Sequence, residues 1–227
     1  MVTMDYTLGM KITKFAQSCI LIETNGKRIL IDPGIISYDE SLPTTDWNNI
    51  DVLLVTHKHD DHFNEPAIKE IVKNPKTKLY SSSEVAQAFP EIDIKVVKRG
   101  DVINVDGFTV TVTKAVHGYL PYLKGDNEIT ENVGYIIEIE GKKIYVTSDT
   151  LCFKNDYKCD VLFLPVSGCG LVMGTFEAFL FAKETGASLV IPIHMDNLRF
   201  PVEMSEIEKN FVEINYKVLE IKESIEV

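Results

Sequence analysis

His57, His59, Asp61 and His62 place three imidazoles and a carboxylate within six residues, in the segment HKHDDH. In an extended segment alternate side chains point the same way and the others to the far side, so one short stretch can offer ligands to two metal ions. Imidazole nitrogen and carboxylate oxygen suit Zn²⁺, Mn²⁺ or Fe²⁺, and two such cations about 3.5–4 Å apart need roughly this mixture plus a bridging carboxylate. The chain has five histidines, and the two outside the cluster, His117 and His194, each follow a strand-like run, as does Asp149 in VTSDT. A lone histidine in such a place is ordinarily a surface or satisfied core residue, and a lone Asp before Thr is ordinarily a turn or cap. A cluster of three histidines and an aspartate is different, because histidine tracts normally lie at termini or in low-complexity sequence. The expectation is a metal pocket built from His57, His59, Asp61, His62, His117, Asp149 and His194.

Such a pocket needs elements that deliver all seven side chains to one rim. The first third of the chain reads as short apolar runs, MKITKF, CILIET and RILIDP, with the Asn25-Gly26 turn marking a hairpin between the last two. DVLLVT is a continuous apolar run suited to a strand covered on both faces. It leads into HKHDDH, after which Asn64 is placed to cap a helix over AIKEIVKN, with Pro66 in its first turn. The cluster therefore sits on a strand-to-helix loop. KLYSS, IKVVK, DVINV and FTVTVTKAV read as strands and SSEVAQAF as a short helix, with His117 at the end of the last strand. Residues Gly118 to Asn132 read as a long loop rich in Gly, Pro, Asp and Asn, expected to be functional, with a lid as one such role. VGYIIEIE, a turn at Gly141, KKIYVTSDT, VLFLPV and SLVIPIH supply a second strand-rich half. Helices are expected over about Thr175 to Thr185 and Pro201 to Asn215, and a last strand at KVLEI.

A chain of 227 residues with 45% hydrophobic and 25% charged content is that of an ordinary globule, read as a single domain over 1–227. Its formal charge of −11 repels nucleic acid and anionic membranes at long range, so neither is an expected partner. A small anionic substrate is not excluded, because bound divalent cations reverse the local field. The N-terminus lacks a signal-like apolar run, and no stretch of about 18 apolar residues occurs, so a cytoplasmic protein is expected. Cys19, Cys152, Cys159 and Cys169 show no C-x-x-C pairing and are read as reduced thiols.

HKHDDH fits the H-x-H-x-D-H signature of the metallo-β-lactamase superfamily, and His117, Asp149 and His194 follow in that family's order. The resemblance runs from about Met10 to Ile221 and points to the small stand-alone members similar to ascorbate-6-phosphate lactonase, through KITKFAQSCILIETNGKRILIDPG, GYIIEIEGKKIYVTSDT, VLFLPVSG and PIHMDNLRFP. It implies an α+β fold, a four-layer αββα sandwich of two sheets flanked by helices. It implies one metal, Zn or Mn with Fe as the alternative, on His57, His59 and His117, a second on Asp61, His62 and His194, and Asp149 bridging both. Asp61 and Asp149 are then the catalytic carboxylates, acting with a shared water on an ester, lactone or phosphodiester. Two departures stand out. Ala16-Gln17 replaces the Gly-His usual before Ser-Cys, which argues against ascorbate-phosphate lactonase activity, and Ser148-Asp149 replaces the usual Gly-Asp while keeping the ligand.

Substrate contacts are expected from Tyr119, Tyr122 and Lys124 on the long loop and from Asn197 and Arg199 after His194, where an Arg can pair with a phosphate or carboxylate. The alternatives are a diiron-type oxidoreductase and a non-catalytic metal-binding module. Diiron members typically carry a glutamate where His59 stands and a fused flavin domain, and degenerate modules lose ligands that this chain keeps. Open edge strands suggest a homo-oligomer.

Overall fold

The computed structural model describes residues 9–36, 44–105, 107–120, 128–167, 170–196 and 200–227. The first sheet is built from β1 (Lys11–Lys14), β2 (Ile20–Thr24), β3 (Lys27–Ile31), β4 (Val52–Leu54), β5 (Lys78–Ser81), β6 (Lys95–Val96) and β13 (Ser224–Glu226), in the order β13-β1-β2-β3-β4-β5-β6. The second contains β7 (Val102–Val105), β8 (Phe108–Lys114), β9 (Val133–Ile139), β10 (Lys142–Val146), β11 (Val161–Pro165) and β12 (Leu189–Ile193), in the order β12-β11-β10-β9-β8-β7. Each sheet starts as an antiparallel meander and continues as parallel strands joined by crossovers. At the β2–β3 hairpin, Asn25 and Gly26 have φ values of 46° and 71°, the pair of positive angles that a two-residue turn with the right twist requires.

Period-two alternation sorts the strand residues between three apolar layers. Ile20, Ile22, Ile29, Ile31, Val52 and Leu54 of the first sheet meet Val110, Val112, Ile144, Val146, Phe163, Ile191 and Ile193 of the second. The intervening Leu21, Leu30, Leu53 and Leu79 face α1 (Glu65–Ile71) and α2 (Ser83–Ala88) through Ala67, Ile68 and Val85. On the opposite side Tyr145, Leu162, Leu164 and Val190 pack on α3 (Thr175–Thr185) and α4 (Met204–Asn210) through Phe181, Ala182, Ile207 and Phe211. The result is the αββα sandwich. DVLLVT is the clearest instance of the reading from residue type: its strand residues are buried on both faces, one side against the second sheet and the other against α1.

Three boundaries differ from expectation. The helix placed over Pro201–Asn215 is only Met204–Asn210, because Phe211 turns its ring into the core, closes the last i→i−4 bond to Ile207 and leaves Val212 pointing to solvent. KVLEI is not a strand. Only an isolated bridge from Tyr216 to Val190 marks its start, Leu219 plugs the inter-sheet core, and a turn at Lys222 (φ 67°) delivers the real last strand to the free edge of β1. β8 ends at Lys114, so His117 lies on the segment that follows it. Among the described residues no helix is long and apolar enough to cross a membrane.

Because Phe163 is fully buried between the sheets, Phe163→Ala should lower unfolding stability by about 3–5 kcal/mol. Val212→Ala at a position 75% exposed should change it by less than about 0.5 kcal/mol. Urea unfolding of the two variants checks the assignment of core and surface.

Candidate metal centre

All seven expected side chains converge at one rim, where β3, β4, β8, β10 and β12 end. Asn64, as cap of α1, accepts a hydrogen bond from Ala67 N, and Pro66 lies in the first turn, so the helix starts where the loop of histidines must stop. Phe63 N and His62 N both bond back to the His59 carbonyl, folding HKHDDH into a tight turn that spreads its side chains. Gly34 passes so close to this turn that a Cβ there would lie 1.8 Å from the Asp61 carbonyl oxygen, which is why only glycine fits.

The donor atoms fall into overlapping sets. His57, His59 and His117 form one, with His57 Nε2 and His59 Nδ1 3.1 Å apart and the His59 and His117 rings 4.7 Å apart. Asp61, His62 and His194 form another, with Asp61 Oδ2 3.4 Å from His194 Nε2. Asp149 lies between them: Oδ1 is 3.3 Å from His62 Nε2, and Oδ2 is 3.0 Å from His194 Nε2 and 3.7 Å from His117 Nε2. His62 Nε2 and Asp149 Oδ1 are buried and make no hydrogen bond among the described residues. Buried polar atoms without a hydrogen bond, within 4.8 Å of the other donors of their sets, are atoms that a cation would satisfy, so the residues present fit divalent metal ions.

The outer contacts fix ring orientation. His62 Nδ1 donates to Asp32 Oδ2 at 2.8 Å, and Asp32, itself fully buried, also accepts from Thr56 N and Thr56 Oγ1 at 2.8 Å each. His117 Nδ1 donates to the Gly118 carbonyl at 2.7 Å, leaving its Nε2 to face Asp149. Such partners set the tautomer and raise ligand basicity. Asn132 completes the cage: it accepts from Ser148 Oγ at 2.6 Å and donates to the Asp149 carbonyl. The same end of the long loop is clasped to α2, where Glu84 accepts from Thr130 N and Glu131 N while Glu131 accepts from Ser83 Oγ and Glu84 N.

Four non-glycine residues at this rim adopt left-handed backbone: Gln17 (φ 56°), Asp32 (48°), Ser148 (67°) and His194 (64°). Each costs on the order of 1–2 kcal/mol. The angle at Ser148 is one that glycine adopts freely, and here a serine adopts it with its hydroxyl tied to Asn132.

Electrostatics divide the imidazoles. Burial, then the neighbouring His62, pushes His57 well below the usual histidine range, and burial also lowers His117 against the pull of Asp149. Both are neutral and ready to ligate. Burial would lower His62 and His194 too, but carboxylates outweigh it. Asp149, Asp32 and Asp61 hold His62 well above its usual range, and Asp149 with Asp61 raises His194 to about 10. Burial likewise opposes ionisation of Asp149 and Asp61, yet His194 and His62 keep both carboxyls far below the normal range. His62 and His194 are thus the two imidazoles whose carboxylate neighbours favour the charged form.

Of the expected substrate contacts, Tyr119 is 65% exposed two residues beyond His117. Tyr122, Lys124, Asn197 and Arg199, together with Cys169, lie outside the described residues. Asp32 and Gln17 were not anticipated. Asp32 was readable as a carboxylate at a strand end but is camouflaged by Pro33-Gly34, which mimics an ordinary turn. Gln17 occupies the position of the histidine in the usual Gly-His. Its Nε2 is 3.1 Å from Asp61 Oδ2 and 3.3 Å from His194 Nε2.

The chain matches the model of the beta-lactamase superfamily domain over residues 11–194. It is 33% identical over 202 residues to a UPF0173 metal-dependent hydrolase of Korarchaeum cryptofilum, covering 85% of each chain. It is equally 33% identical over 235 residues to one of Anoxybacillus flavithermus, covering 96% of this chain and all of that one. A crystal structure of a putative metal-dependent hydrolase from Parabacteroides distasonis superposes with a TM-score of 0.79 at 21% identity, covering 93% of both chains. The chain therefore belongs to the metallo-β-lactamase superfamily, within a group of metal-dependent hydrolases.

Asp32→Asn should weaken metal binding about 10–100-fold by loosening His62 while leaving the fold intact, as read by chelator competition. A pH effect follows from His194. Its pKa is raised on folding from the usual 6.5 to about 10, so its share of metal-free stability is complete below about 6.5 and is lost as pH climbs towards about 10. Melting of chelator-treated protein should show that decline, and metal affinity should rise over the same window as the ligands deprotonate. Flat melting temperatures across it would refute the assignment.

Proposed function

We propose that the protein is a dinuclear hydrolase that cleaves an ester, lactone or phosphodiester bond in a small molecule. In this reading His57, His59 and His117 would hold one divalent cation, Asp61, His62 and His194 would hold the other, and Asp149 would serve both. The observation that carries it is the position of Asp149, whose two oxygens lie within 3.0–3.7 Å of imidazoles from both sets. Two cations, Zn²⁺ or Mn²⁺ with Fe²⁺ as the alternative, supply when bound a water acidic enough to act as a nucleophile near neutral pH and a Lewis acid for the carbonyl or phosphoryl oxygen.

The protein's own groups do the rest. Asp149 is nearly solvent-free and fixed through its carbonyl by Asn132, so its role is to position. Asp61 keeps 18% side-chain exposure where Asp149 has 3%, so it is the carboxylate open to solvent and the one assigned the proton transfer from nucleophile to leaving group. Asp32 and Gly118 hold His62 and His117 in one tautomer, so that no reorganisation is needed as charge develops.

The test is metal analysis of the purified protein followed by assay on lactones, bis-aryl phosphates and thioesters with Mn²⁺ or Zn²⁺ added. Two equivalents of metal and turnover of at least one class are expected. Asp149→Ala should lower turnover by about 100-fold or more with a near-native circular dichroism spectrum. Full activity in that variant would remove the bridging role.

A further inference from the structure

We propose that Gln17 is an additional ligand, through its carboxamide oxygen, of the metal held by Asp61, His62 and His194. The inference rests on the dinuclear reading above and adds to it a residue outside the seven.

The position is held firmly. Gln17 sits in the tight turn between β1 and β2, closed by Phe15 N donating to the Cys19 carbonyl and Cys19 N donating to the Ala16 carbonyl. Its own N–H donates to Asp196 Oδ2 at 2.8 Å, the oxygen that also receives Lys14 Nζ, a lysine amine only 2% exposed. His194 N donates to the Gln17 carbonyl, so the glutamine backbone and that of His194 are tied together. The left-handed φ of 56° at Gln17 is sustained by these bonds and aims the side chain inward, where it is fully buried.

The end of that side chain stands at ligand spacing. Donor atoms sharing one cation at about 2.0–2.2 Å lie roughly 3.0–3.5 Å from one another. Gln17 Nε2, Asp61 Oδ2 and His194 Nε2 form a triangle with edges of 3.1, 3.3 and 3.4 Å. Gln17 Nε2 donates to Asp61 Oδ2 and lies 3.3 Å from His194 Nε2. A cation needs a lone pair from each of those two ligands, and an N–H group in that place would oppose it. A half-turn about χ3 exchanges the nitrogen and oxygen of a carboxamide with almost no change in shape. It puts in that place Oε1, which is buried and has no hydrogen-bond partner among the described residues. A neutral oxygen donor also makes this set harder than an imidazole would, and so favours Mn²⁺ over Zn²⁺ relative to the three-histidine set.

The experiment titrates metal-free full-length protein with Mn²⁺ and with Co²⁺ by calorimetry and visible absorption, in wild type and in Gln17→Leu, Gln17→Asn and Gln17→Glu. Wild type should take up two equivalents; a single equivalent would overturn the dinuclear reading and this inference with it. Gln17→Leu should weaken one equivalent about 10–100-fold, leave the other unchanged and intensify the Co²⁺ visible bands as coordination number falls. Gln17→Asn tolerates the left-handed backbone but is one methylene too short, so it should behave likewise even if the leucine variant does not fold. Gln17→Glu discriminates the roles: a carboxylate can ligate but cannot donate to Asp61. It should therefore bind both equivalents at least as well as wild type. Unchanged binding in a folded Leu or Asn variant, or weaker binding in Glu than in Leu or Asn, would overturn the assignment.

Discussion

The constraint on which the molecule turns is the burial of Asp149. A carboxylate taken out of water must be compensated by positive charge or hydrogen bonds, and among the described residues imidazoles stand within 3.0–3.7 Å of its two oxygens. That single requirement explains why His62 and His194 are held in their charged forms against desolvation, whereas at His57 and His117, the latter 3.7 Å from Asp149 Oδ2, desolvation outweighs the same carboxylate. It also explains Asp32. Once His62 carries charge inside the protein, its second nitrogen needs an acceptor, and Thr56 then saturates that acceptor from both backbone and side chain. Around His62 the polar network is thus closed by hydrogen bonds on the side away from Asp149.

The scaffold bears this load by dividing labour between strand interiors and strand ends. Inside, alternation gives each sheet two apolar faces, so the strands are clamped between the opposite sheet and a helical layer. At the ends, four residues in left-handed conformation break the extended path and turn side chains or carbonyls towards the centre. Packing in the layers offsets the strain at the rim, a distribution common where backbone must be held out of its preferred region.

Most of this was readable from residue types. The three-histidine cluster, the cap at Asn64, the Asn25-Gly26 hairpin and the alternation in FTVTVTKAV each obey local rules that survive into the fold. The same logic placed His117, Asp149 and His194 at strand ends, because ligands to a shared centre must come from one rim. What escaped were contacts with no local signature. Gln17 and Asp32 reach the centre only because β1 and β3 lie where they do in the sheet, and glutamine after alanine, or aspartate before proline, carries no periodic signal. The C-terminal region failed for a related reason: KVLEI has strand composition, but β1 takes its edge partner from three residues further along, at Ser224–Glu226.

That edge pairing also sets the order of events in biosynthesis. Thr13 and Ser224 share a hydrogen bond across 211 positions of chain, and Lys14 exchanges backbone bonds with Lys222 and Glu223. The turn carrying Gln17 springs directly from this strand, and His194 arrives late as well. The hairpins of the first sheet can thus pair before Ser224–Glu226 has been made, but β1 gains its second neighbour only afterwards. The turn that carries Gln17 is therefore fully buttressed only when a segment some two hundred residues away has docked.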